Sequence, residues 1–309
     1  MYKILKTVLE GIETVTIQHR ASKSYASILV GYGGALNDFV VAGKEILRGS
    51  IHREDMANGN RKLYAGVQMF PFVNRVDNGR YIMNKQVFQL PQNDSSGFPH
   101  ALHGLIYNKP MEIKSMDEAK GKLVLFYHFK KNDNFYPFEF TIQVEYVLSQ
   151  QSLEVSSVII NHGKEQAPVG YGWHPYLNIT GTINECKLQL PASTLYLCDE
   201  RLIPTGETAE QRNYLQPTLI GNLELNHCFK MPNGQVSYTT VIEDTDGSSI
   251  QLIQKGFPYT QYYIPPDRKS LAIEPQTSIP DALNNGIGLI LLHPDEALHC
   301  SFTIIVQKN

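Results

Sequence analysis

The chain has 309 residues, with 27 lysines and arginines against 30 aspartates and glutamates, for a formal net charge of -3. That balance, with no cationic run longer than Lys130-Lys131, excludes a polyanion binder built on a basic face. At 42% hydrophobic and 18% charged residues the composition supplies a sizeable core and excludes a disordered chain.

No stretch approaches the roughly 18 consecutive apolar residues of a membrane-spanning helix. The start, Met1 to Lys6, runs into Glu10 and Glu13 without a secretory apolar core. Cys186, Cys198, Cys228 and Cys300 lack C-x-x-C spacing, so they read as free thiols rather than zinc ligands or a disulfide framework. A cytoplasmic protein is the expectation.

Taken in chain order, Gly31-Tyr32-Gly33-Gly34 reads as a hairpin turn, because a dinucleotide loop would need a third glycine further on and a following helix. The best helical candidate, Val40 to Met56, is interrupted by Gly43 and Gly49 and supports at most short helices. Asp77-Asn78-Gly79 lies between Phe72–Val76 and Arg80–Met83, and an Asn-Gly pair supplies the positive φ angles of a tight hairpin. Leu123-Leu125-Tyr127-Phe129 then follows period two. Phe138 to Leu148 does so most cleanly, with Glu139, Thr141, Gln143 and Glu145 on the opposite face. Cys186-Leu188-Leu190, Val236 to Ile242, Ile250-Leu252 and Phe302-Ile304-Val306 repeat the period, and Asp246-Gly247 marks another hairpin. Period two without sustained helical periodicity argues for an all-β protein, a large antiparallel β-sandwich, and excludes a doubly wound α/β fold. With no linker-like composition shift, residues 1–309 read as one domain.

Walker and G-x-S-x-G signatures are absent. Three segments instead place ionisable groups beside glycine or proline: Phe98 to Gly104, Gly170 to Tyr176, and Leu271 to Thr277. His100 and His103 could be half of a metal site, but Pro99 and Gly104 do not support the helix that usually brings two histidines to one face. Neither metal nor cofactor is expected. Glu274 follows Leu271-Ala272-Ile273, so a carboxylate ends an apolar run, and a buried carboxylate needs a partner or a raised pKa. It reads either as half of an ion pair with an arginine or as a general base facing a histidine. Trp173, Tyr176, Tyr262 and Tyr263 could offer a flat apolar face to a sugar ring, or serve as core.

Together these segments resemble the aldose 1-epimerase (galactose mutarotase) family. Asn74-Arg75, Leu102-His103-Gly104, Gly172-Trp173-His174-Pro175-Tyr176-Leu177, and Ile273-Glu274-Pro275-Gln276-Thr277 with Asp281-Ala282-Leu283-Asn284 look like that family's motifs, in family order. The resemblance implies a galactose mutarotase-like supersandwich and cofactor-free interconversion of the anomers of a free monosaccharide. It implies His174 as general acid and Glu274 as general base. Asn74, Arg75, His103 and Gln261 would hydrogen-bond the sugar. Asn226, in Leu225 to Phe229, stands where many mutarotases carry an aspartate, and an asparagine donates as well as accepts.

A hexose-6-phosphate 1-epimerase and a non-catalytic carbohydrate-binding protein of the same fold are the alternatives. Neutral sugars are expected over phosphorylated ones. Apart from Arg75, the cations near the motifs (Arg80, Lys85, Lys109, Arg268 and Lys269) read as surface charges. Neither a nucleic acid nor a membrane is expected as a partner.

Overall fold

The computed structural model of the chain describes residues 1–49 and 64–308. Two large antiparallel sheets carry the fold, with 13 and 9 strands among the described residues. The first begins with the meander Tyr2–Leu9, Ile12–His19, Ser24–Leu29, Ala35–Val41 and Lys44–Arg48. It continues through Tyr176–Asn178, Ser270–Gln276, Tyr259–Tyr263, Asn226–Lys230, Ser193–Cys198 and Pro204–Gln211. Gly172–Trp173 pairs both with Ser270–Gln276 and with Gln68–Met69. The second sheet is centred on Phe140–Leu148, Ser152–Asn161, Ala297–Lys308 and Ser248–Lys255.

The alternation in the sequence becomes the core. Phe140, Ile142, Val144, Tyr146 and Leu148 are buried, while the residues between them are half-buried. From the first sheet Trp173 meets Tyr146 and Phe302 of the second edge-on, at ring centroid distances of 6.1 Å and 5.6 Å. Burying a large apolar side chain contributes about 1.5–3 kcal/mol, so this seam between the sheets is where stability concentrates. The strand Ser270–Gln276 is buried along its whole length, as expected of a central strand covered on both faces.

Gly31 to Gly34 turn the chain between Ser24–Leu29 and Ala35–Val41, as a hairpin should. Asp244 to Ser248 join Ser237–Glu243 to its antiparallel partner Ser248–Lys255, with Gly247 at φ 81. At Asn78-Gly79 the sequence expectation fails. Both residues do take positive φ, 53 and 63, but they form a 3-10 turn rather than a hairpin. Arg75–Val76 pairs with Ala101–Leu102, and Arg80–Met83 pairs with Gln86–Gln89 across Asn84-Lys85. Turn chemistry is local; the choice of partner strand is not. The helical candidate from Val40 onward is a strand up to Val41, a turn at Gly43 and a strand again at Lys44–Arg48. Its remainder lies outside the described residues.

Candidate active site

The Asn74-Arg75 element and the first histidine motif are held together by unusual backbone. Asn74 and His103 both adopt left-handed angles, φ 50 and 58, a conformation that Asn and His take more readily than most non-glycine residues. The His103 N–H donates to the Asn74 carbonyl at 2.9 Å. Gly104 follows at φ 78, where an added Cβ would lie 2.3 Å from the Phe70 carbonyl oxygen. Only glycine fits there, so the L-H-G order is a packing requirement as well as a chemical one. His103 is buried, with Nδ1 3.0 Å from Met69 Sδ and its ring edge-on to Tyr64 at 4.7 Å.

His174 follows the Gly172–Trp173 strand. Its N–H donates to the Val67 carbonyl at 3.0 Å, and its own carbonyl accepts from Gly66 N at 2.8 Å. Adjacent strand residues face opposite ways, so Trp173 enters the core and His174 turns to the other side. There it lies edge-on to His103 at 4.9 Å and stacked on Tyr176 at 4.9 Å. Glu274 arrives from the central strand, and its Oε1 lies 3.4 Å from His174 Nε2. The two side chains are only 6% and 3% exposed.

Burial dominates the electrostatics. It pushes the Glu274 carboxyl up to about 8, against a hydrogen bond from Gln276 Nε2 at 3.0 Å and the more distant Arg75 charge, which both favour the anion. Burial likewise pushes the His174 imidazole down to about 3. His103 is held well below the usual imidazole range by burial first, then by His174 and Arg75. Between those limits the His174–Glu274 pair carries one proton, and desolvation favours its uncharged form, a carboxylic acid beside a neutral imidazole.

Gln261 lies directly across from Glu274 in the neighbouring strand, and its Nε2 donates to Asn226 Oδ1 at 2.9 Å. Gln261 Oε1 is buried without a hydrogen-bond partner among the described residues. An acceptor left so is costly unless a ligand completes it. Asn226 and Tyr263 also line a pocket of about 460 Å³ together with Glu224, Pro265 and Arg268.

The seven candidate site residues thus gather around one centre: Asn74, Arg75, His103, His174, Asn226, Gln261 and Glu274. No arginine pairs directly with Glu274 among the described residues; Arg75 acts on it from farther off, and its Nε donates to Asp94 Oδ2 at 2.8 Å. The two readings left open for the four aromatic candidates divide between them. Trp173 and Tyr262 are 1% and 0% exposed and belong to the core, where Tyr262 bonds Thr240. Tyr176 and Tyr263 lie at the site, with ring centroids 6.3 Å apart. His100 is directed elsewhere; its Nδ1 accepts from the Asn78 N–H at 3.1 Å. Tyr64, Asp94 and Gln276 went unassigned from sequence. Gln276 had a signal, since it stands two residues from Glu274 in a strand and so shares its face.

Comparison with known proteins gives the family and the fold. The aldose 1-epimerase family profile matches residues 13–304. The uncharacterized protein YihR of Escherichia coli K12 is 31% identical over 254 residues, 80% of each chain. A galactose mutarotase-like protein from Clostridium acetobutylicum superposes with a TM-score of 0.85 at 22% identity, covering 100% of this chain and 99% of its own. Galactose 1-epimerase from Lactobacillus acidophilus does so with a TM-score of 0.80 at 16% identity, covering 100% and 99%. The fold is the galactose mutarotase-like β-supersandwich, and the chain belongs to the aldose 1-epimerase family.

Proposed function

We propose that this protein is an aldose 1-epimerase, interconverting the α and β anomers of a free aldose with its own side chains and no cofactor. The observation that carries the reading is the buried His174–Glu274 pair, 3.4 Å apart, with burial displacing the two pKa values in opposite directions. A binding protein needs hydrogen-bonding groups but not a matched acid and base.

Transfer of the shared proton across the contact converts the uncharged pair into imidazolium and carboxylate without changing its net charge. Sugar hydroxyls donating to the carboxylate favour that form. Glu274 then takes the proton from the anomeric hydroxyl as His174 delivers one to the ring oxygen. The bond between C1 and the ring oxygen breaks, and C1 becomes the aldehyde. The pair is left as carboxylic acid and neutral imidazole, the form that burial favours, so desolvation assists ring opening. Rotation about the C1–C2 bond presents the other face of the aldehyde, and closure returns both protons by the reverse route. Asn74, Arg75, His103, Asn226 and Gln261 hold the remaining hydroxyls, and Gln261 Oε1 is an acceptor awaiting one.

Polarimetry on freshly dissolved α-anomers of common hexoses and pentoses tests this. At least one should relax faster than its buffer rate without added cofactor. Relaxation of the whole panel at the buffer rate, with sugar still binding, would instead favour a carbohydrate-binding protein.

A further inference from the structure

The cation facing the proposed site does not act alone. Among the described residues, Arg75 is the cationic side chain whose charge reaches both His103 and Glu274. Its Nε donates to Asp94 Oδ2 at 2.8 Å and its Nη1 to Asn74 Oδ1 at 3.2 Å. The Arg75 and Asp94 side chains are 14% and 2% exposed, so solvent screens this ion pair little. Asp94 is itself fixed: its Oδ1 accepts from Ser96 N at 2.9 Å, and its N–H donates to the His100 carbonyl at 3.2 Å. The preceding Asn93 clamps the same loop to the histidine strand, accepting from Leu102 N at 2.7 Å and donating to the Leu102 carbonyl at 3.0 Å. At the far end of the site Arg268 directs its guanidinium at the Gly221 and Leu223 carbonyls and at Asn184.

We infer that Asp94 is a specificity-determining residue that neutralises Arg75 and aims it, so that the site accepts uncharged aldoses and discriminates against anionic ones such as uronates and sugar phosphates. This rests on the mutarotase reading for its substrate class. A guanidinium fork suits two tasks, donating to neutral hydroxyls and gripping an anion. Engaging Nε with a buried carboxylate leaves the outer N–H groups as donors but offsets much of the charge that would draw an anion from water. An anionic substrate entering this site meets Asp94 behind the guanidinium, and like charges in a poorly screened cleft repel.

The variants Asp94→Asn and Asp94→Ala separate charge from tether. Asparagine keeps the shape and one oxygen to accept from Arg75 Nε, losing the charge and the bond from Ser96 N; alanine removes both acceptors and the charge. The probes are a hexuronate and its uncharged hexuronamide, gluco or galacto according to the free hexose that turns over faster, since the two differ in charge at one position. Polarimetry gives kcat and KM, and calorimetry gives dissociation constants for the same compounds.

Wild type should favour the amide. In Asp94→Asn the uronate should gain about ten- to fiftyfold relative to the amide, mainly through KM, and the gain should shrink as salt rises from low to moderate. In Asp94→Ala the gain should persist while kcat on the neutral sugar also falls, because Arg75 loses its anchor. An acid-to-amide ratio that is the same in all three proteins overturns the inference. Binding of both compounds without turnover by wild type would sink the mutarotase reading instead, leaving the ratio of dissociation constants to decide the role of Asp94.

Discussion

Among the described residues two buried histidines each contact a carboxylate at the same distance, and their difference shows what turns such a pair into a candidate catalyst. His100 Nδ1 lies 3.4 Å from Asp77 Oδ1, and His174 Nε2 lies 3.4 Å from Glu274 Oε1. In the first pair the carboxylate is 27% exposed and also binds Arg201 at 2.8 Å, while the imidazole accepts a backbone N–H. In the second the carboxylate is 3% exposed, its direct partner is the uncharged amide of Gln276, and a second histidine stands edge-on to the first. Contact distance is therefore uninformative. What distinguishes the pairs is whether water and a cation touch the carboxylate directly, as they do at Asp77 and do not at Glu274.

The comparison breaks if the first pair matters to turnover as much as the second. Glu274→Gln and His174→Asn should each lower kcat by about two to four orders of magnitude, the usual worth of a positioned acid or base. Asp77→Asn should lose less than about tenfold, since it acts only on a turn next to Arg75. Combining Glu274→Gln with His174→Asn should cost far less than the product of the single losses, because both serve one proton circuit. Steady-state polarimetry on the four variants checks the set. Near-wild-type activity in Glu274→Gln would remove Glu274 from the mechanism.

A pH profile sharpens the contrast. Turnover by the second pair needs one proton shared between an acid and a base. The raised carboxyl, at about 8 in the sugar-free site, sets the alkaline limit, and the lowered imidazole sets an acid limit near 3. The expected kcat/KM is level from about pH 5 to 7 and falls up to tenfold per pH unit above about 8. A rise through an ordinary imidazole value, near 6.5, would mean that a solvated histidine controls the rate instead.

Much of this arrangement was written locally. Period-two alternation specified Phe140–Leu148 nearly to the residue, and a carboxylate closing an apolar run marked Glu274. The same alternation also sends Trp173 and Tyr262 to the core once His174 and Gln261 face the site, although composition alone made all four aromatics look alike. What could not be read was partnership across distance. Arg75 finds Asp94 only because Asn93 binds a loop onto the histidine strand. Arg75–Val76 finds Ala101–Leu102 although Asn78-Gly79 advertises a nearer partner. A turn signal states how the chain bends, while register and loop docking depend on everything that competes for the same edge.

The smallest expected effect concerns stability, and it tests whether the second pair is held against its own preference. Glu274 gains protons on folding, since its pKa rises from an ordinary 4.5 to about 8, so it lowers stability as pH rises between those values. His174 loses protons on folding, its pKa falling from 6.5 to about 3, so it raises stability with pH across that window. From about 4.5 to 6.5 the two contributions oppose and cancel. Above 6.5 only the Glu274 contribution remains, with a slope of at most about 1.4 kcal/mol per pH unit up to its folded pKa. Replacing the carboxyl by the amide in Glu274→Gln keeps the volume and removes that slope. The variant should match wild type near pH 4.5 and exceed it by about 2–6 °C in Tm at pH 8.5, even as it loses turnover. Asp77→Asn should show no such gain, because its carboxylate is solvated and paired with Arg201. Thermal melts of the three proteins across this pH range decide it. A Glu274→Gln protein less stable than wild type at pH 8.5 would mean that the ionised carboxylate is stabilised in the folded chain, and with it the distinction between the two pairs would fall.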